Sequence, residues 1–423
     1  MAARTIVPLR HPLIDKVVRV PPSKSITNRE LVLSAIARGR SRLEIGPLDP
    51  GDDVRAMRTA VAALGYAVDS RDPERIVVTG SERAPGLEAQ VNAAEGGTVA
   101  RFALALAALG SGSVRIDGST RLRQRPLAPL VVALRELGAS VAGDALPLVV
   151  RGPLTGGDAT VAVSESSQFA SALLLIAPRL PKGLHLFLRG RAVSAPFIEL
   201  TVASLEARGV RVERPESREF VVRPQRVNAR TVRVPSDATA ASYAAAAAAV
   251  LGGSVTVPGV EARDGHADQG DARVFDLLER MGCAVHRAPS RVTVRRDGAL
   301  QGVTANVADC SDVFPTLAVV AAFAVSGTEL LGIAHTRSQE SDRIAAVVAG
   351  LRAIGARAEG YADAIRIEPG TLHGGAIDSA GDHRIAMAFS IAGLQVPGVS
   401  IEGAEAVKKT FPGFYEMLGE LAR

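Results

Sequence analysis

Arg42-Leu43-Glu44-Ile45-Gly46 is a short β-rich run closed by glycine after an apolar helical stretch, and it decides the fold because the chain repeats it. The same arrangement returns as Val114-Arg115-Ile116-Asp117-Gly118, His185-Leu186-Phe187-Leu188-Arg189-Gly190 and Val255-Thr256-Val257-Pro258-Gly259. It returns twice more, as Thr328-Glu329-Leu330-Leu331-Gly332 and Val399-Ser400-Ile401-Glu402-Gly403. The closing glycines are 72, 72, 69, 73 and 71 residues apart. A second series is interleaved with the first: Leu64-Gly65, Leu137-Gly138, Arg208-Gly209, Met281-Gly282 and Ile354-Gly355, in steps of 73, 71, 73 and 73. Glycine there suits the residue after a helix, where the backbone turns left-handed. Two series on one period define a unit of about 70 residues with two helices and several short strands. Six units predict an α/β protein of two domains with three units each. The period is too long for the common solenoids, so a closed or pseudo-symmetric assembly is expected.

Proline marks where the two domains meet. Val20-Pro21 and Val234-Pro235 each separate a β-rich run from a polar helix start, which places hinges near 20–21 and 234–236. One domain is then 21–235. The other is discontinuous, 1–20 with 236–423.

Composition narrows the function. The chain has 423 residues, 47% of them hydrophobic and 22% charged, as expected of a folded globular protein rather than a disordered one. The Ala-rich run 244–251 is the most membrane-like segment and is too short to span a bilayer. With no apolar signal core behind Met1-Ala2-Ala3-Arg4-Thr5, a cytoplasmic protein without membrane partners is expected. Cys283 and Cys310 form no disulfide framework, and the seven histidines show no metal-ligand spacing, so no metal is expected. The net charge of +5 comes with 4% aromatics and no tryptophan, which argues against a nucleic-acid surface. Scattered arginines suit small anionic substrates.

The helix starts carry the chemistry. Pro21-Pro22-Ser23-Lys24-Ser25-Ile26-Thr27-Asn28-Arg29 puts cations and hydroxyls at a helix N-terminus, which already attracts anions. Glu95-Gly96-Gly97-Thr98 offers paired glycines for close backbone approach and Thr98 as a cap. Arg121, Arg123 and Arg125 form a candidate anion clamp. Ser164-Glu165-Ser166-Ser167-Gln168 offers hydroxyls for a phosphate, and Asp237 reads as a helix cap. Asp312 is a cap or a base ahead of Pro315. Glu340 and Arg343, three apart, are placed to share a helix face. Gly381-Asp382-His383-Arg384 and Lys408-Lys409-Thr410-Phe411-Pro412 close the set. Five of the six helix starts thus carry anion-binding or proton-transfer groups.

Pro22-Ser23-Lys24-Ser25, Asn28-Arg29, Ser166-Ser167-Gln168-Phe169, Glu340-Ser341-Asp342-Arg343, Gly381-Asp382-His383-Arg384-Ile385-Ala386-Met387 and Lys409-Thr410-Phe411-Pro412 together resemble the 5-enolpyruvylshikimate-3-phosphate (EPSP) synthase family, end to end and in order. The resemblance implies a two-domain inside-out α/β barrel of six βαβαββ repeats, three per domain. It implies transfer of the enolpyruvyl group of phosphoenolpyruvate to the 5-hydroxyl of shikimate 3-phosphate, with loss of phosphate and no cofactor or metal. Those two molecules are the only partners implied, and a monomer is expected. A paralogue acting on another cyclic alcohol or sugar is the alternative. By the same resemblance Lys24, Asp312 and Glu340 are catalytic. Lys24, Ser25, Arg29, Ser166, Ser167, Gln168, Ser194, Asp312, His335 and Gln339 bind the acceptor. Lys24, Gly97, Arg125, Gln168, Arg343, Arg384 and Lys409 bind phosphoenolpyruvate. Asp312 is the expected base for the 5-hydroxyl. Glu340, with Lys24, is the expected acid for the methylene carbon, which calls for a raised pKa in the closed site. The chain departs from the commonest family pattern at Glu95, Phe197, His335 and Gln339, the last three on the acceptor side.

Overall fold

A computed structural model describes residues 3–9, 11–82, 84–260 and 269–422. The chain divides into two compact units, Pro22–Val234 and Met1–Pro21 with Pro235–Arg423. Each of the six repeated runs is a strand in a different sheet.

In the unit Pro22–Val234 those strands are Gly39–Glu44, Ser113–Asp117 and Leu184–Arg189. Each lies parallel to one neighbour and antiparallel to the other. Alternation drives this: Leu43 is buried between the exposed Arg42 and Glu44, and Val114 and Ile116 are buried around the exposed Arg115. The last strand of the unit, Thr231–Arg233, returns to lie parallel to its first, with Val232 opposite Leu43. In the other unit the repeated runs are Gly253–Pro258, Thr328–Leu331 and Ser400–Glu402. Here the N-terminal Leu13–Val17 lies parallel to Gly253–Pro258 and Arg4–Thr5 antiparallel to Ser400–Glu402. That is why the chain's first residues belong with its last half.

Each unit has its own core, built on three inner helices that pack on one another. In one unit they are Lys24–Ile36, Gly97–Ala107 and Gln168–Ile176; in the other, Ala238–Leu251, Phe314–Ala321 and His383–Gln395. They are buried nearly all round; Gln168–Ile176 and Phe314–Ala321 are almost wholly apolar, whereas Lys24–Ile36 also buries Asn28, Arg29 and Glu30, which must find partners. All fourteen residues of Ala238–Leu251 are buried. The run that looked most membrane-like is therefore a core helix, and among the described residues no helix is long and apolar enough to cross a membrane. The outer helices end at Gly65, Gly138, Gly209, Gly282 and Gly355, all with φ between 81° and 105°.

Candidate active site

The N-termini of the inner helices carry Lys24, Gly97, Gln168 and Arg384, four of the expected site residues. In the unit Pro22–Val234, Lys24 is the first residue of its helix, and its Nζ donates to Asp53 Oδ2 at 3.1 Å. Asp53 is buried in the first turn of Asp52–Ala63. Arg29, one turn on from Ser25, is only 2% exposed. It donates to Ser25 O at 2.8 Å, Thr201 Oγ1 at 2.8 Å, Ser171 Oγ at 3.3 Å and Phe197 O at 2.9 Å. All four acceptors are neutral. Burial pulls the Arg29 guanidinium down to about 9. A cation is thus held in the core beside Ser25, with no carboxylate hydrogen-bonded to it among the described residues.

Gly97 opens the second inner helix, and its missing side chain is filled by arginine. A Cβ there would lie 2.6 Å from Arg101 Nη1 and 2.7 Å from Arg125 Cζ. Arg101 donates to Gln168 Oε1 and to Pro126 O, both at 2.7 Å, which joins the glycine loop to the third helix start. Gln168 is the first residue of that helix, and its N–H donates to Ser166 Oγ at 3.2 Å. Ser167 is buried at the N-cap but makes no side-chain cap. Ser194 has φ 51°, a left-handed backbone that a serine holds only under constraint.

Two expectations fail here. Thr98 does not cap: the helix begins at Gly97, Gly96 holds the cap position, and Thr98 is already inside. Nor do three arginines form one clamp. Arg123 is exposed and paired with Asp117 at 2.9 Å, Arg121 is half-buried with its Nη1 3.5 Å from Gln124 Oε1, and Arg125 alone of the three is buried against Gly97. Glu95, one of the departures from the family pattern, lies exposed ahead of the helix.

The other unit holds an ion network centred on Arg343. Its Nε donates to Asp382 Oδ2 at 2.8 Å, its Nη1 to Asp312 Oδ1 at 2.9 Å and to Gln339 Oε1, and its Nη2 to Glu340 Oε2 at 2.9 Å. Burial works against the charge on Arg343. Asp382, Glu340 and Asp312 outweigh it and hold the pKa above the ordinary value. Arg384 donates to the second oxygen of Asp312 at 2.5 Å, and Lys409 to the second oxygen of Glu340 at 3.0 Å. Asp382, fully buried, caps His383–Gln395 through the Arg384 N–H at 2.9 Å and takes Ser341 Oγ at 3.1 Å. His335 Nε2 lies 2.8 Å from Ser311 Oγ, next to Asp312, and burial lowers its pKa against the opposing Asp312 charge.

Glu340 and Arg343 do pair, but not on a helix face. The helix is Arg343–Ala353, capped by Asp342, and Glu340 stands in the turn before it. Asp312 caps nothing: it sits in the turn Ala308–Val313 with both oxygens on arginine. Asp237 does cap, accepting the Ala240 N–H at 2.9 Å. Glu340 is met here by the Arg343 and Lys409 cations, whereas the raised pKa expected of it applies to the closed site. Gln339, expected with the acceptor residues, lies on Arg343 among the cations.

Sequence reasoning left out Asp53, Arg101 and Asp382. Asp382 lies in the segment Gly381-Asp382-His383-Arg384, and Arg101 three residues beyond Thr98. For Arg101 the signal was a charge among apolar neighbours, Ala100-Arg101-Phe102-Ala103, which burial turns into a pairing requirement; Asp53 and Asp382 stand among polar residues and gave no such signal.

The EPSP synthase (3-phosphoshikimate 1-carboxyvinyltransferase) family model matches residues 11–418. The chain belongs to the EPSP synthase family. A curated 3-phosphoshikimate 1-carboxyvinyltransferase of Methanosphaerula palustris is 40% identical over 417 residues, 97% of each chain. One from Thermococcus kodakarensis is 41% identical over 405 residues, 96% of each. The solved EPSP synthase of Acinetobacter baumannii aligns with a TM-score of 0.82 at 25% identity, over 100% of this chain and 98% of that one. The mixed α/β fold is thus that of EPSP synthases, and the residues of the ion network all lie within the matched region.

Proposed function

We infer that this chain transfers the enolpyruvyl group of phosphoenolpyruvate to the 5-hydroxyl of shikimate 3-phosphate and releases phosphate. The observation that carries the mechanism is the network Lys409–Glu340–Arg343–Asp312–Arg384, in which three buried cations bind the two carboxylates proposed as acid and base. Phosphoenolpyruvate brings a carboxylate and a phosphate, and arginine takes either in a bidentate grip. Binding it on Arg343, Arg384 and Lys409 draws those cations away from Glu340 and Asp312. Both carboxylates then become more basic at the moment substrate arrives.

The freed Asp312 takes the proton of the 5-hydroxyl as its oxygen bonds to C2 of phosphoenolpyruvate. Glu340, now able to hold a proton, gives it with Lys24 to C3, which becomes a methyl group. In the second step C3 returns a proton and the C2–O bond to phosphate breaks, restoring the double bond. Lys24, Ser25, Arg29, Ser166, Ser167, Gln168 and Ser194 hold the acceptor, with His335 beside Asp312. Gly97 and Arg125 hold phosphoenolpyruvate with the network cations, and Arg101 orients Gln168. The two units are read as the two three-repeat domains of the inside-out barrel, hinged near 20–21 and 234–236, and the protein as a cytoplasmic monomer.

The test is phosphate release from phosphoenolpyruvate with shikimate 3-phosphate, run beside unphosphorylated shikimate. Fast release that depends on the 3-phosphate is expected. No release with either acceptor sinks the reading.

A further inference from the structure

Beside Asp312 lies a carboxyl that the reaction above does not use. Asp271 belongs to the short turn Gly270–Ala272 and is 2% exposed. Its Oδ2 accepts the Thr239 hydroxyl from the first turn of Ala238–Leu251, while its Oδ1 has no hydrogen-bond partner among the described residues. Gln269 fastens the same turn. Its Oε1 accepts the Ala238 N–H at 3.1 Å, and its Nε2 donates to Ser236 O at 2.8 Å. The turn packs on Ala308–Val313, which carries Asp312, and on Ala238–Leu251, which packs in turn on the helix that carries Arg384. A buried acid with one empty lone-pair face is costly and needs a reason.

We propose that Asp271 is a positioning residue for the transfer reaction: clasped by Thr239, its carboxyl backs the Asp312–Arg384 ion pair and tunes the charge that Asp312 presents to the acceptor hydroxyl. This rests on Asp312 being the base. Burial pushes the Asp271 carboxyl up to about 7, Asp312 adds to the rise, and Arg384 and the Thr239 hydroxyl oppose it. Of the other groups around it, Asp237 on the helix side adds a smaller rise. On the Asp312 turn, Asp309 is held at 3.4 Å by Arg273. Asp276 lies on the Arg273 helix, and Cys310 is pushed up to about 12 by burial and stays neutral. Tyr243, buried beside Arg384, is likewise pushed up to about 12. Asp271 is therefore a group here that changes charge near neutral pH, while His335, on Ser311 of the Asp312 turn, is moved by burial to below its ordinary range. When it ionises, a second negative charge stands behind Asp312 and competes for Arg384, which makes Asp312 the stronger base.

The experiment is the pH profile of kcat and of KM for phosphoenolpyruvate, with shikimate 3-phosphate saturating, in the wild type and in Asp271→Asn. The wild type should gain activity through pH 7. The Asn variant, neutral at every pH, should lose that limb and fall about tenfold on the alkaline side, the effect of one pKa unit on a base, with KM changed far less. An unchanged kcat profile in Asp271→Asn, even at a lower melting temperature, would overturn the proposal and leave Asp271 a structural residue. Should the Asn variant not fold, Thr239→Val and Thr239→Ser decide. Val removes a hydrogen bond to the carboxylate and should move the limb to higher pH, while Ser keeps the wild-type profile. Identical profiles for Val and Ser overturn the proposal. A wild type that releases no phosphate overturns the functional reading itself, and this inference with it.

Discussion

At the scale of single residues, the site is a set of charges whose partners are already chosen. Glu340 lies between Lys409 and Arg343. Replacing it with Gln keeps the shape and removes the proposed proton carrier. Phosphate release should fall by about 10²–10⁴-fold while phosphoenolpyruvate binding, followed by calorimetry, stays within a few fold; retained turnover would take Glu340 out of the mechanism. Gly97 works by absence. Gly97→Ala would place a Cβ within 2.7 Å of the Arg101 and Arg125 guanidinium groups, which must swing aside. A rise in KM for phosphoenolpyruvate of about tenfold or more is expected, because displacing a binding group by an ångström is that costly. A variant with wild-type KM would show that the arginines do not act through this loop.

At the scale of the element, the inner helix starts repeat one device. Asn92, Asn306 and Asp378 each fold the strand end into a turn by accepting the N–H two residues on, at 2.9, 3.0 and 2.7 Å. Ala94 and Ala380 then take positive φ, 51° and 52°, just before the helices of Gly97 and His383 begin. The turn aims each helix N-terminus and its site residues. In the His383–Gln395 helix the aim depends on Asp382, which is fully buried between Arg343, Ser341 and the Arg384 N–H. Arg343→Met strands that carboxylate. It should cost about 3–5 kcal/mol in urea unfolding, the loss seen when one partner of a buried ion pair is removed, along with phosphoenolpyruvate binding. A loss under 1 kcal/mol would mean Asp382 finds another partner.

For the whole molecule, the proposed acceptor contact of Arg29 would link stability to substrate. Its folded pKa of about 9 lies below the ordinary value, so the cost of burying its charge is fully present below pH 9 and is relieved only as pH rises through 9. An acceptor carboxylate would supply the missing countercharge. Shikimate 3-phosphate at about a hundred times its dissociation constant should stabilise the protein by about 2.7 kcal/mol, read as a rise in melting temperature near pH 7. Arg29→Met should lose most of that rise while its own melting temperature holds or increases. An undiminished rise would show that Arg29 does not act on the acceptor.

The repeat period, the α/β class and the helix starts that carry Lys24, Gly97, Gln168, Asp312 and Arg384 were legible in the chain, because glycine spacing and apolar alternation are local signals. Asp237 could be read as a cap for the same reason. Who partners whom was not legible. Asp312 bonding two arginines, Glu340 standing off its helix, Gln339 on Arg343 and Arg125 alone turning inward all depend on burial. A charge in a core must find whichever opposite charge the packing brings near, and residues 312, 343, 384 and 409 meet only once the sheets have closed their unit. Sequence by itself determined the repeating framework and its chemical inventory. Tertiary structure decided the pairing, because desolvation makes each choice of partner expensive to leave unmade.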